Sequence, residues 1–190
     1  MPLFPLYTVL FPGGPLPLRV FEQRYLEMIS DCLKKDSAFG VCLIEHGREV
    51  GEAASTVNMG VTAKIIDWEK RDDGLLGITV MGQQRFEIES VDVMPSQLTV
   101  ASVKLVDTDE QVAVPDMYRY MSSLVKQLLT HAGSIYQNIE KKYTSAEWVS
   151  CRLSELLPID LMDKQALLEM NSSMERLEEI HKMLDGMDVI

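Results

Sequence analysis

Three histidines, three cysteines, two embedded arginines and one pair of adjacent aspartates are the side chains here best suited to chemistry. His46, His131 and His181 lie far apart in the sequence, as do Cys32, Cys42 and Cys151. Zinc needs several converging imidazole or thiolate ligands, and no CxxC or HExxH brings any together. Cys42 and Cys151 fall in apolar contexts and read as small core residues. His131 sits beside a helical stripe, in a structural or solvated role. Asp72-Asp73 stands before Gly74, which reads as turn chemistry before metal chemistry. No GxxxxGK[ST] and no GxGxxG is present, so nothing cradles a nucleotide phosphate. There is no GxSxG elbow. A Ser-Lys dyad stays open, because the approach of such common residues is a tertiary fact. The expectation is no catalytic, cofactor-binding or metal-ligating residue, no cofactor, and no enzyme.

Arg24 and Arg85 stand out by context. Arg24 lies between Glu22 and Tyr25 at a helix start, and Arg85 precedes the alternating Phe86 and Ile88. A guanidinium so embedded clamps a loop through its rigid donor fork, or else meets a ligand or partner. The 12 methionines fill a core or form an adaptable apolar surface.

The elements that must position these residues come in two textures, dividing near residue 110. With 190 residues the chain is one domain, or one with an appendage. Five prolines among the first 17 residues keep the start extended and break any signal-like apolar run. Phe21, Tyr25, Met28 and Cys32 form one stripe, predicting an amphipathic helix over 22–34. Strands are predicted at Phe39–Ile44, Gly51–Thr56, Gly60–Trp68, Leu75–Met81, Arg85–Glu89 and Leu98–Val106. A hairpin is expected at Lys70–Gly74, a bend at Gly82–Gln84, and a solvent break at Asp107-Thr108-Asp109-Glu110. An antiparallel, partly closed barrel satisfies this pattern, with an open α+β sheet as the runner-up.

After Pro115, the stripe Tyr118, Met121, Val125, Leu128, Ala132, Ile135 and Ile139 predicts a helix of roughly 25 residues, weakened at Gly133. Further helices are expected at about 145–156, 161–170 and from Ser172, which forms a capping box with Glu175. The expected division is 1–112, β-rich, and 113–190, helical.

The net charge of -11 opposes nucleic acid and an anionic membrane surface as partners. Few, odd and scattered cysteines suit a reducing cytoplasm.

An ordered series of short elements resembles the N-terminal domain of Lon proteases. It runs Leu3-Phe4-Pro5-Leu6, Val9-Leu10-Phe11-Pro12-Gly13, Leu16-Pro17-Leu18 and Phe21-Glu22-Gln23-Arg24-Tyr25. It continues through Phe39-Gly40-Val41, Gly51, Asp73-Gly74 and Gly82-Gln83-Gln84-Arg85-Phe86 to Leu157-Pro158, Lys164-Gln165, Leu168-Glu169 and Arg176-Leu177. The resemblance implies an α+β fold: a β-rich PUA-like pseudo-barrel with one early helix, then a C-terminal α-helical bundle. It also implies substrate recognition without the ATPase or peptidase domains, which the sequence to Ile190 is not expected to contain. It supplies no catalytic residue. Phe21, Tyr25 and Phe86 would fill the core, and Arg24 and Arg85 would pin loops.

The leading functional expectation is a non-catalytic module that recognises exposed apolar polypeptide segments or a protein partner. It would use a groove between barrel and helices, and would deliver clients to a protease or regulate one. The alternative is a small-molecule-binding protein or enzyme using the same barrel–helix cleft. Neither nucleic acid nor membrane is an expected partner, and the sequence leaves the oligomeric state open.

Overall fold

A computed structural model describes residues 1–107 and 112–186. The chain divides into two compact units, Met1–Asp107 and Thr108–Ile190. The acidic break read at Asp107–Glu110 lies, from Thr108 on, outside the described residues.

The first unit contains β1 (Leu3–Leu6), β2 (Pro15–Val20), α1 (Gln23–Lys35), β3 (Phe39–His46), β4 (Ser55–Lys70), β5 (Leu76–Val93) and β6 (Thr99–Leu105). Its sheet runs β1-β3-β4-β5-β2, with β6 also on β5. The sheet is mixed, because β1 pairs parallel with β3 from Leu3–Gly40 to Leu6–Leu43. That corrects the antiparallel barrel. The sheet is also open: one bridge, Pro2 with Val100, touches β1 to β6 without continuing as a ladder.

β3 reads as a near-continuous apolar run because both of its faces are covered. Phe4, paired with Val41, faces α1 and stacks on Tyr25 with centroids 4.1 Å apart. On the other face Leu3, Cys42, Phe86 and Ala101 form a buried cluster. The α1 stripe is Arg24, Tyr25, Met28, Ile29 and Cys32. Phe21 does not belong to it, since Glu22 is already the N-cap and Phe21 stands outside the helix. Lys34 and Lys35 complement the carbonyl end of the helix, and Asp36 closes it in the left-handed region.

The Lys70–Gly74 hairpin forms as expected. Arg71 N–H donates to Leu75 O (2.9 Å), Gly74 N–H to Arg71 O (2.9 Å), and Asp73 Oδ1 accepts from Leu75 N–H (3.0 Å). The weak strand at Gly51–Thr56 is mostly loop, and β4 starts at Ser55. The bend at Gly82–Gln84 does not end the strand: β5 runs through it as a bulge, with a register shift against β4 between Gly82–Ala63 and Arg85–Val61. Gly82 serves close approach, not turning. Its carbonyl accepts from Gly13 N–H (2.8 Å) and its N–H donates to Gly14 O (2.9 Å), so the Phe11–Gly14 turn lies directly against the strand.

β2 is an outer strand with prolines at 15 and 17. A proline cannot donate to a ladder, so Leu16, Leu18 and Val20 carry the donors toward β5, and the free edge lacks two N–H groups.

The second unit contains α2 (Arg119–His131), α3 (Ala146–Leu156), α4 (Leu161–Glu169) and α5 (Ser173–Gly186). α3 packs against the other three helices and is buried from Ala146 almost all round, from Trp148 to Ser154. The 25-residue helix is not formed. α2 stops at His131, Gly133 takes φ 92°, and a 3-10 turn follows at Ser134–Tyr136. The apolar spacing persisted across a residue that reverses the backbone at no steric cost. Ser145 and Ser172 cap α3 and α5 by accepting from Trp148 N–H and Glu175 N–H, each at 3.3 Å.

This unit buries charge. Arg152, wholly enclosed, pairs with Glu155 at 3.0 Å, and Tyr136 Oη donates to Glu155 Oε1 at 2.6 Å. Burial pushes the Glu155 carboxyl up, against the opposing pull of Arg152, the Tyr136 hydroxyl and Lys164. As pH rises the unfolded chain loses this proton first, so this contribution is full below the ordinary carboxyl value and shrinks as pH climbs toward the folded one. Urea unfolding of wild type and Glu155→Gln at about pH 4, below the ordinary carboxyl value, and at about pH 7 should show the wild type gaining on the variant at the lower pH. A difference that ignores pH would contradict this.

Candidate functional site

The side chains singled out from sequence do not converge. His46 is exposed at the end of β3. His131 closes α2 beside the Gln127 carbonyl (3.0 Å), and His181 Nδ1 lies 2.7 Å from Tyr120 Oη. All three cysteines are buried and free. Burial raises each thiol, that of Cys42 to about 12, which leaves them unreactive. Among the described residues, no group of three or more His, Cys, Asp or Glu could hold a metal ion. The methionines divide between roles: Met28, Met59 and Met121 are core, whereas Met117 and Met162 are exposed.

Arg24 does clamp loops. Its Nη1 donates to Gln97 O (2.7 Å) in the β5–β6 turn, and its Nη2 pairs with Glu22 Oε2 (3.1 Å). Glu22 Oε2 accepts in turn from Gly51 N–H (3.3 Å). The guanidinium lies 4.6 Å from the Tyr25 ring centroid, so Tyr25 is held between Arg24 and Phe4. Arg85 is 3% exposed on β5, opposite Val61, and offers nothing to a partner.

This frame builds a groove within the first unit. Tyr7 N–H donates to Glu49 Oε1 and Tyr7 Oη to Gly47 O, both at 2.6 Å, a second pin on the 47–51 loop beside that from Glu22. A cavity of about 240 Å³ lies between that loop, β2 and the start of α1. Phe4, Leu6, Val20 and Tyr25 are its buried apolar lining, Arg19, Glu22 and Glu49 line it with charge, and Phe21 and Val50, each 52% exposed, stand at its mouth. Leu18 also lines a larger cavity of about 390 Å³ along β2, beside the exposed Trp68.

Sequence reasoning missed Phe21 and Val50 as surface residues. Phe21 stands four residues before Tyr25, so periodicity alone assigns it to the helix face. Its position just before the Glu22 cap was the usable signal. Val50 was legible as a lone aliphatic residue among Arg48, Glu49 and Glu52.

Among the described residues, no helix is long and apolar enough to cross a membrane.

Residues 1–186 match the family described as the ATP-dependent protease La (LON) substrate-binding domain. Lon protease of Cytophaga hutchinsonii is 26% identical over 97% of this chain and 24% of its own length. Lon protease 2 of Myxococcus xanthus is 27% identical over 97% of this chain and 23% of its own. The chain thus spans about a quarter of the length of these curated relatives. The crystal structure of a Lon N-terminal domain protein from Xanthomonas campestris is 31% identical, covers 96% of each chain, and superposes with a TM-score of 0.80. The N-terminal domain of a Mycobacterium avium complex Lon protease shares the fold at 18% identity and a TM-score of 0.66, over 97% of this chain and 95% of that one. With the match running almost end to end, this chain belongs to the ATP-dependent protease La (LON) substrate-binding domain family.

Proposed function

We propose that the chain is a non-catalytic recognition module that takes an apolar side chain of an unfolded polypeptide into the Phe21–Val50 groove. The observation that carries this is two large apolar side chains, each half-exposed, held by a frame of hydrogen bonds at the mouth of a cavity with an apolar floor and charged flanks. Exposed apolar surface that a frame holds in place is what an interaction site requires. The relatives' names support the class of ligand: a domain described as substrate-binding, within proteases, handles polypeptide. In this reading the bound segments are clients that a protease receives.

The Pro2–Val100 bridge supports a PUA-like pseudo-barrel in which β1 and β6 approach each other. Three buried, unpaired thiols suit a reducing, cytoplasmic setting. The charge of -11 disfavours nucleic acid as the ligand. A small-molecule site has less support. The Phe21–Val50 cavity falls below the usual range of roughly 300–1,000 Å³, although the one beside Trp68, about 390 Å³, lies within it, and Glu22 and Glu49 already spend acceptors on backbone N–H groups.

The test is fluorescence anisotropy of a labelled, permanently unfolded polypeptide and its folded counterpart at two salt concentrations. Saturable binding of the unfolded form alone, with weak salt dependence, is expected. Phe21→Asp should weaken it by at least about tenfold while leaving stability within about 0.5 kcal/mol, because Phe21 is half-exposed. No binding up to about 0.1 mM, near -5.5 kcal/mol, would sink the reading.

A further inference from the structure

β5 outruns its partner. Pairing between β4 and β5 ends at Met59–Glu87, yet β5 continues to Val93, held on its other side by β6 from Phe86–Leu105 to Val93–Thr99. Among the described residues, the β4-side edge of Ile88–Val93 therefore has no strand against it. The nearest tie from the loop before β4 is Ala53 N–H to Gln97 Oε1 (3.4 Å), past the end of β5. Every residue from Glu89 to Gln97 is exposed. No proline falls within Ile88–Val93, in contrast to the guarded edge of β2.

A register shift against β6 falls between Ile88 and Ser90, with Glu89 as the extra residue, and from Ser90 to Val93 the side chains alternate. Val91 pairs with Ala101 and Val93 with Thr99. Ala101 and Thr99 are buried, whereas Val91 is 49% and Val93 53% exposed, so the core side of the sheet runs on past its cover. Between them Asp92 points to the opposite face. Glu87 and Glu89 precede them, Glu87 opposite Lys104 and Glu89 accepting from Ser102 Oγ (3.2 Å). Asp92 has no ion-pair partner among the described residues.

The geometry points to a strand-addition site on this edge for an extended polypeptide segment in which basic and apolar residues alternate. Backbone N–H and C=O groups of alternate residues within Ser90–Val93, past the bulge at Glu89, supply the ladder. The incoming apolar side chains would cover Val91 and Val93, and the incoming basic ones would face Asp92 and Glu89. A second copy of this chain is a poor occupant: it would set Glu87, Glu89 and Asp92 against their own kind, in a protein of net charge -11. The site lies apart from the Phe21 groove and does not depend on it.

The probe is a labelled peptide of about ten residues alternating Lys and Val, titrated into the full chain. Two versions carry backbone N-methyl groups on opposite alternating sets. One set is expected to lower affinity by at least about tenfold and the other by less than about twofold, because only one set of N–H groups faces β5. A double change, Val91→Lys with Val93→Lys, should also weaken binding by at least about tenfold. Phe21→Asp should leave it unchanged, which separates this site from the groove. Amide exchange at 88–93 should slow when the peptide binds. Equal binding of both methylated peptides, equal binding of a block Lys–Val peptide, or no saturation would overturn the proposal. So would a dimer in sedimentation that the Val91/Val93 double variant dissolves, which would give the edge to a second copy.

Discussion

Gly82→Ala should destabilise the first unit by about 3 kcal/mol, an overpacking cost at the top of the usual range. A Cβ on Gly82 would overlap the Phe11 carbonyl oxygen and come within 3.1 Å of Leu10 Cγ. The first obstacle is backbone, and it cannot rotate aside. Phe11 is fully buried and Leu10 nearly so, so the whole turn would have to lift. Lifting it breaks the two bonds that Gly82 makes to Gly13 and Gly14. Gly74→Ala is the control. Its φ of +81° costs strain, but nothing lies within 4 Å of the new carbon, so a loss of only about 1 kcal/mol is expected. Urea unfolding of both variants decides. Equal losses would mean that conformation, not close approach, explains Gly82.

Arg176→Met should cost the second unit about 3–4 kcal/mol. The Arg176 guanidinium is buried and bonded in three directions. Nε donates to Leu167 O (2.8 Å), Nη2 to Met170 O (2.7 Å), and Nη1 to Ser150 Oγ (3.1 Å) with Cys151 Sγ at 3.7 Å. It therefore caps the carbonyl end of α4 from α5 while gripping α3. Methionine matches the stem but strands two carbonyls, at roughly 1–3 kcal/mol for each buried group left unpaired. Arg176→Lys keeps the charge but has no planar fork to span both carbonyls, so it should recover only part of the loss. Helical circular dichroism through a urea titration reads this directly. Full rescue by lysine would mean that charge near the helix end suffices.

How far the sequence reveals this architecture depends on whether the signal is local. α1, α3, α4 and α5 were legible from apolar spacing and caps, and the β4–β5 hairpin from Asp73-Gly74 between apolar runs. The Lon-type resemblance was legible from the order of short elements, Phe21-Glu22-Gln23-Arg24-Tyr25 foremost. The parallel β1–β3 pairing was not, because it joins segments some 37 residues apart through backbone bonds that leave no residue pattern. Two glycines misled in opposite ways. Gly82 resembles a turn residue but serves a close backbone approach within a strand. Gly133 resembles a tolerated helix defect but ends the helix. The clamping role of Arg24 was readable from its neighbours. The groove it supports was not, because its lining comes from β1, β2, α1 and the 47–51 loop together.

The tie between the start of β1 and β6 has a consequence for synthesis on the ribosome. Met1 O accepts from Ala101 N–H, and the Met1 nitrogen donates back to Ala101 O, across 100 residues of sequence. At roughly 5–20 residues per second, Leu3–Leu6 would emerge about 5–20 s before β6 exists to meet them. Through that interval an uncharged, largely apolar stretch has no native cover on one side. Its prolines at 2, 5, 12, 15 and 17 stop it from stacking with copies on neighbouring ribosomes, since cross-strand zippers exclude proline. The residues that shape the finished edge of β2 thus also protect the nascent chain while it waits.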